Sequence, residues 1–161
     1  MSKILLSLGS NIGNRFENIN NAIKLISEIC KVQKISSFYE TEPFGNVNQP
    51  WFINIVAIIE TDLSAEILLF LFKTIEFEIG RRKTEMWTER IIDIDILLYD
   101  DILRELENLT IPHKFLHQRK FVLIPAFEIA EDFVHPLFNK SIRELNEECK
   151  DNCFCLLISE K

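Results

Sequence analysis

Glycine and proline are scarce, at 4 and 5 of 161 residues, which leaves no linker and no low-complexity stretch. No apolar run approaches the roughly 20 residues a membrane-spanning helix needs. The apolar stretch near the N-terminus is too short for a secretory signal, so a cytoplasmic protein is expected. Positive charge is in deficit. Eighteen Lys and Arg face 25 Asp and Glu, a net charge of −7, which argues against a general nucleic-acid binder that must neutralise phosphates. No Gly-x-x-x-x-Gly-Lys-Ser/Thr loop and no Gly-x-Gly-x-x-Gly fingerprint occurs, and no Ser-His-Asp or Cys-His arrangement stands out. The cysteines, Cys30, Cys149, Cys153 and Cys155, lack the second pair or nearby His of a zinc pattern. They read as buried or half-buried thiols.

What the chain does have is enough length for one domain spanning residues 1–161 with a full core, and 13 Phe. Some of these are core; a few on a concave surface can stack on a flat ligand. Residues 3–8 read as a first strand. Asn14, with Glu17 three residues on, is spaced to cap a helix whose apolar positions run from Phe16 to Ile29. Residues 32–39 read as a second strand and the β-branched run 52–61 as a third. Ser64 opens a second helix that Gly80 ends. Residues 91–99 form a fourth strand. The order β-α-β-β-α-β predicts an α+β, ferredoxin-like antiparallel sheet with helices on one face, the other face being free to bind. A less regular C-terminal extension follows. Residues 119–124 read as a short strand, Pro125 as opening a helical turn, 141–149 as a helix with Ser141 and Glu144 as a capping box, and 154–158 as a final strand.

The most informative stretch is Arg90-x-x-Asp93-x-Asp95. Side chains alternate along a strand, so Asp93 and Asp95 share one face while Ile92, Ile94 and Ile96 share the other. Two carboxylates on one sheet face repel and lose solvation. Divalent cations relieve both costs, and hard cations such as Mg²⁺ bring phosphates with them. The alternative is a solvated edge-strand face. Just upstream, Arg81, Arg82, Lys83 and Arg90 supply four cations, and Arg forks match phosphate geometry. Trp87 lies in the same segment, which suits a lid over transferring phosphate or an ordinary charged surface. On the third strand Asn54 interrupts an apolar run. Its amide suits a planar ring with a lactam-like edge, or a core hydrogen bond. Phe52 shares its face, and the loop Thr41-Glu42-Pro43-Phe44 leads into it. His113 and Arg119 are candidate phosphate contacts and Phe121 a candidate stacking residue. The residues alone reach metal-dependent phosphoryl-type transfer involving a flat polar ring.

The pattern resembles the 6-hydroxymethyl-7,8-dihydropterin pyrophosphokinase family over nearly the whole chain. It rests on Leu8-Gly9-Ser10-Asn11, Ser36-Ser37-Phe38-Tyr39-x-Thr41-x-Pro43 and Gln49-Pro50-x-Phe52-x-Asn54. It continues through Ile75-Glu76-x-x-x-Gly80-Arg81, Arg90-x-x-Asp93-x-Asp95-Ile96, Pro112-His113, Arg119-x-Phe121 and Pro125. The resemblance implies transfer of pyrophosphate from ATP to the pterin hydroxymethyl group, with release of AMP, by a single domain acting on small molecules as a monomer. It implies two Mg²⁺ on Asp93 and Asp95, with Arg81 and Arg90 steadying phosphate. It implies a pterin pocket of Thr41, Pro43, Phe44, Phe52, Asn54 and Phe121, and a nucleotide site of Glu76, Lys83, Trp87, Ile96, His113 and Arg119. Glu42, Lys73 and Lys114 depart from the family pattern. A ferredoxin-like RNA-binding module, with sheet aromatics stacking bases, is the alternative from another class. Another Mg²⁺-dependent nucleotide enzyme is a third.

Overall fold

The computed structural model describes residues 1–45, 48–82 and 88–159. Strand β1 (Ser2–Ser10) is buried from Ile4 onward because strands flank it on both sides. Asn14 caps α1 (Arg15–Ile29): its side chain accepts from Glu17 N–H at 3.2 Å and donates back to the Glu17 carboxylate at 3.1 Å. Helix α1 then turns Ile19, Ala22 and Ile26 inward. The strand expected over 32–39 is two strands, β2 (Lys31–Ile35) and β3 (Phe38–Thr41). The break falls at Ser36, whose side-chain oxygen accepts from Val56 N–H at 2.9 Å while its own N–H donates to the Val56 carbonyl at 2.8 Å. A short polar side chain has replaced part of the ladder there.

Strand β4 (Phe52–Thr61) and helix α2 (Ala65–Ile79) have the expected bounds, the helix capped by Ser64. Gly80 ends it at φ 122°, in the left-handed region that a side chain disfavours. Strand β5 (Asp93–Tyr99) follows, then the hairpin β6 (Arg104–Leu106) and β7 (Leu109–Ile111). The strand expected at 119–124 is instead the start of helix α3 (Lys120–Ala130). Val122, Leu123, Ala126 and Ala130 are its buried stripe, a helical spacing that a short apolar run conceals. A small hairpin, β8 (Val134–His135) and β9 (Lys140–Ser141), leads to α4 (Ile142–Glu148), where the Ser141–Glu144 capping box is complete. Strand β10 (Cys155–Ile158) ends the described chain. All four cysteines are free thiols, Cys30 buried and the others half-buried.

The sheet runs β10-β3-β4-β1-β5, with β2 pairing the far half of β4, and every pair is antiparallel. This is the α+β, ferredoxin-like arrangement. One face packs Leu6, Leu8, Ile55, Ile94 and Ile96 against α1 and α2. The opposite face is not free, as the sequence suggested. Leu5, Val56, Ile58 and Leu97 pack there against Val122, Leu123 and Ala126 of α3 and Ile142 of α4. The C-terminal extension therefore covers half of that face. Only the end bearing Gly9, Asn54, Asp93 and Asp95 stays open.

Candidate active site

That open end is a cavity of about 320 Å³, at the small end of the usual range for ligand pockets. Its floor is sheet. Gly9 of β1 lies directly opposite Asn54 of β4 on one side and Asp93 of β5 on the other; Ser7 lies opposite Asp95. Opposed residues of antiparallel neighbours share a face, and strands sit about 4.8 Å apart. Asn54 and Asp93 are thus roughly 10 Å apart, with bare backbone between them. One wall is the loop of Thr41, Glu42, Pro43 and Phe44; the other holds His113, Phe115, Arg119 and Phe121.

The floor cannot carry a side chain at Gly9. A Cβ there would collide with the Asn54 side-chain oxygen. That amide is fixed, because its Nδ2 donates to Thr41 Oγ1 at 2.7 Å and both residues are buried. Gly9→Ala is expected to push the amide aside and weaken binding of a flat ligand at Asn54 at least tenfold, the order of one lost hydrogen bond to a buried group. Binding of ATP, measured separately by calorimetry, should hold.

The carboxylates have different environments. Asp93 Oδ1 accepts from Arg81 at 2.6 Å and Oδ2 from Arg90 at 2.7 Å. Burial pushes its carboxyl up, but Arg90, Arg81 and Lys73 outweigh that and hold it below the usual range. Asp95 has no hydrogen bond or salt bridge with a described residue. Burial first, then the Asp93 charge, raises it to about 7. Lys73 and Arg119 draw it down only in part, and a carboxylate held up beside an ionised one is the condition that a bound cation corrects. Among the described residues no group of three or more His, Cys, Asp or Glu forms a metal cage. Two strand carboxylates with the remaining positions open to water and phosphate oxygens fit Mg²⁺.

Three placements differ from the sequence reading. Glu76 does not line the cavity. It is buried behind β5, where its carboxylate takes Arg81 at 2.7 Å, Lys73 at 3.0 Å and the N–H of Ile94 at 2.7 Å. Ile96 lies on the opposite sheet face, in the helix-side core; strand alternation forbids its side chain from reaching the Asp face. Arg81 stands behind Asp93, held between it and Glu76. Lys83 and Trp87 lie outside the described residues.

The second wall is cationic and aromatic. The Arg119 guanidinium sits 4.9 Å from the Phe115 ring centroid, 5.5 Å from Phe44 and 5.6 Å from Phe121, and its buried Nε has no partner. That absence holds among the described residues; Asp95, Asp93 and Asp151 act on the guanidinium electrostatically. His113 Nδ1 accepts from Phe115 N–H at 3.2 Å, which leaves the proton on Nε2. Burial and Arg119 lower its pKa to about 4, so it is neutral near pH 7. Sequence reasoning missed Ser7, Gln49 and Phe115 as lining residues. It also missed the hub at Asn11. The Asn11 side chain accepts from Arg90 N–H at 2.7 Å and donates to Gln49 Oε1 at 3.3 Å and the Pro50 carbonyl at 3.1 Å, tying both ends of the cavity together. The Gly9-Ser10-Asn11 signature was its only signal.

A family profile described as 7,8-dihydro-6-hydroxymethylpterin-pyrophosphokinase (HPPK) matches residues 5–131. The chain belongs to the HPPK family. It is accordingly an enzyme, a pyrophosphokinase, and ATP is the family's co-substrate. A 2-amino-4-hydroxy-6-hydroxymethyldihydropteridine pyrophosphokinase of Aquifex aeolicus is 38% identical over 158 residues, 98% of this chain and 99% of its own. One from Haemophilus influenzae is 42% identical over 91% of this chain and 92% of its own. The folic acid synthesis protein fol1 of Schizosaccharomyces pombe is 45% identical over 86% of this chain, which spans only 19% of that protein. Among solved structures, wild-type HPPK-DHPS of Plasmodium falciparum with STZ-DHP aligns with a TM-score of 0.74 over 91% of this chain and 43% of its own, at 18% identity. At that identity the likeness shows the fold alone.

Proposed function

We propose that the cavity is where this HPPK transfers pyrophosphate from ATP to the hydroxymethyl oxygen of 6-hydroxymethyl-7,8-dihydropterin, releasing AMP. The observation that carries the assignment is the row Asn54, Gly9, Asp93 across three strands. It offers an amide for a lactam edge, a bare trough, and then paired carboxylates, in the order the reaction needs them.

The pterin lies at the Asn54 end. Asn54 and Thr41 hydrogen-bond its edge, Phe52 and Phe121 stack on its faces, and Pro43 and Phe44 close the rim. The nucleotide lies over β5 and the second wall, with Arg119 on phosphate and the neutral His113 donating from Nε2. Lys83 and Trp87, which lie outside the described residues, are assigned to the nucleotide by the family resemblance alone. Asp93 and Asp95 would hold Mg²⁺, two ions by the family resemblance, which when bound would supply charge neutralisation on the phosphates and acidify the attacking hydroxyl. The pterin oxygen attacks the β-phosphorus, the bond from that phosphorus to the AMP oxygen breaks, the hydroxyl proton is released to solvent, and negative charge moves onto AMP. Arg90 stabilises that shifting charge, and Arg81 acts on it from behind Asp93. Arg81 also keeps Asp93 ionised, and Glu76 aims Arg81. The walls exclude water from the transferring group.

The same reading makes the chain one catalytic domain, acting on small molecules as a monomer in the cytoplasm. Its net charge of −7 speaks against RNA, and no helix among the described residues is long and apolar enough to cross a membrane. The test is direct. ATP, MgCl₂ and 6-hydroxymethyl-7,8-dihydropterin should yield AMP and pyrophosphorylated pterin in equal amounts, and excess EDTA should stop both. ADP or free phosphate as the nucleotide product would point to a different reaction.

A further inference from the structure

The segment after α4 lies beyond residue 131, where the family profile ends, yet it touches both walls of the cavity. Asp151 Oδ2 accepts from the N–H of Lys120 at 2.9 Å, and Oδ1 from the N–H of Cys153 at 3.0 Å. Lys120 is the first residue of α3, between Arg119 and Phe121. A carboxylate at that helix N-terminus satisfies a donor that has no partner within the helix. Three residues on, Phe154 holds the opposite wall. Its N–H donates to Glu42 Oε1 at 3.0 Å, and its carbonyl accepts from Glu42 N–H at 3.3 Å. The regular β3–β10 ladder stops at the pair Thr41 and Cys155. Glu42 carries it one step further, its carboxylate standing in for a backbone carbonyl. The chain then leaves the ladder at Pro43, which has no N–H to offer. The Phe154 ring also stacks on Trp51 at 6.3 Å and 21°, beside Phe52.

We propose that residues 151–154 form a clasp that sets the width of the pterin slot, with Glu42 and Asp151 as its positioning residues. This rests on the assignment of the cavity to the pterin. The slot mouth, Phe44 to Phe121, measures 6.4 Å between ring centroids at a tilt of 57°. A flat ring held between two such walls tolerates little error in their separation. Phe44 lies two residues from Glu42, and Phe121 one residue from Lys120. One short segment therefore fixes both walls against each other.

Three variants at one position test it. Glu42→Gln keeps an acceptor for Phe154 N–H, Glu42→Ala removes it, and Glu42→Asp keeps the charge but falls short. Pterin affinity is read by fluorescence, and kcat and the KM for ATP by steady-state assay at saturating pterin. Ala and Asp are expected to weaken pterin binding about tenfold, and Gln to stay within about twofold of the parent. Any change in kcat or in the KM for ATP should be smaller than the change in pterin affinity in all three. Parent-like pterin binding by Ala and Asp overturns the clasp. So does a Gln variant as weak as Ala, which would assign the effect to charge, or a parallel rise in the KM for ATP, which would mean general loosening. If Ala fails to fold, Asp against Gln decides. A parent protein that binds ATP but no pterin would instead remove the cavity assignment, and the clasp with it.

Discussion

Asp95→Asn is expected to abolish turnover, by about 10³-fold or more, while making the ligand-free protein more stable. The variant keeps the size and shape of the side chain and removes a charge that Lys73 and Arg119 offset only in part, against burial and the neighbouring Asp93 and Glu76. The sign follows from the raised carboxyl. Its folded pKa of about 7 lies above the ordinary 3.8. Between about pH 4 and 7 the folded state therefore holds a proton that the unfolded chain has lost, and stability falls as pH rises. The Asn variant escapes that loss. Its advantage should open from about pH 4 and be complete above about pH 7. The ceiling is about 4 kcal/mol; water in the open cavity screens much of it, leaving about 1–2 kcal/mol, or roughly 3–6 °C. Thermal melts of both proteins from pH 4 to 8, without metal or nucleotide, check it. Melting curves that stay superimposed at pH 8 would mean that Asp95 is not held against its charge. Saturating magnesium and ATP should reverse the order, because only the parent gains their binding energy.

Arg90→Ala is the second large effect. Turnover should fall about 10²- to 10³-fold, as for removal of one donor to developing charge, while pterin affinity changes less than about threefold. Two observations separate these effects. The side chain of Arg90 reaches only the Asp93 end of the floor, at 2.7 Å. Its backbone is held independently by Asn11, through 2.7 and 3.0 Å hydrogen bonds that truncation leaves in place. Arg90→Lys should recover only part of the rate, since an ammonium lacks the planar fork. Single-turnover quench measurements beside fluorescence titration of the pterin would read both quantities. Equal losses in rate and pterin binding would show that Arg90 positions the ground state.

The sequence exposed what depends on local spacing. The bounds of β4 and α2, the caps at Asn14, Ser64 and Ser141, and the shared face of Asp93 and Asp95 all follow from periods of two or 3.6 and from short polar side chains. Arg119, His113 and Phe121 were legible as residue types, and the fold brings them to one wall. What stayed hidden depends on contacts distant in sequence. Glu76 and Ile96 belong to motifs that frame the site. Yet one is buried behind the strand holding Arg81, and the other faces the far core. The helix α3 hid because six apolar or basic residues fit a strand as well as a helix until the sheet beneath selects one face. Asn11 showed nothing by its neighbours, since its partners are 38 to 79 residues away.

The bare stretch of backbone at Gly9 bears on inhibition. Resistance to a competitive compound usually arises by changing a side chain that the compound touches but the substrate does not need. Here the contact surface is main chain, and adding even a methyl group would displace the Asn54 amide, the group proposed above to hold the pterin edge. A molecule that bridges Asn54 and the carboxylates while resting on that trough would leave the organism no cheap substitution with which to escape it.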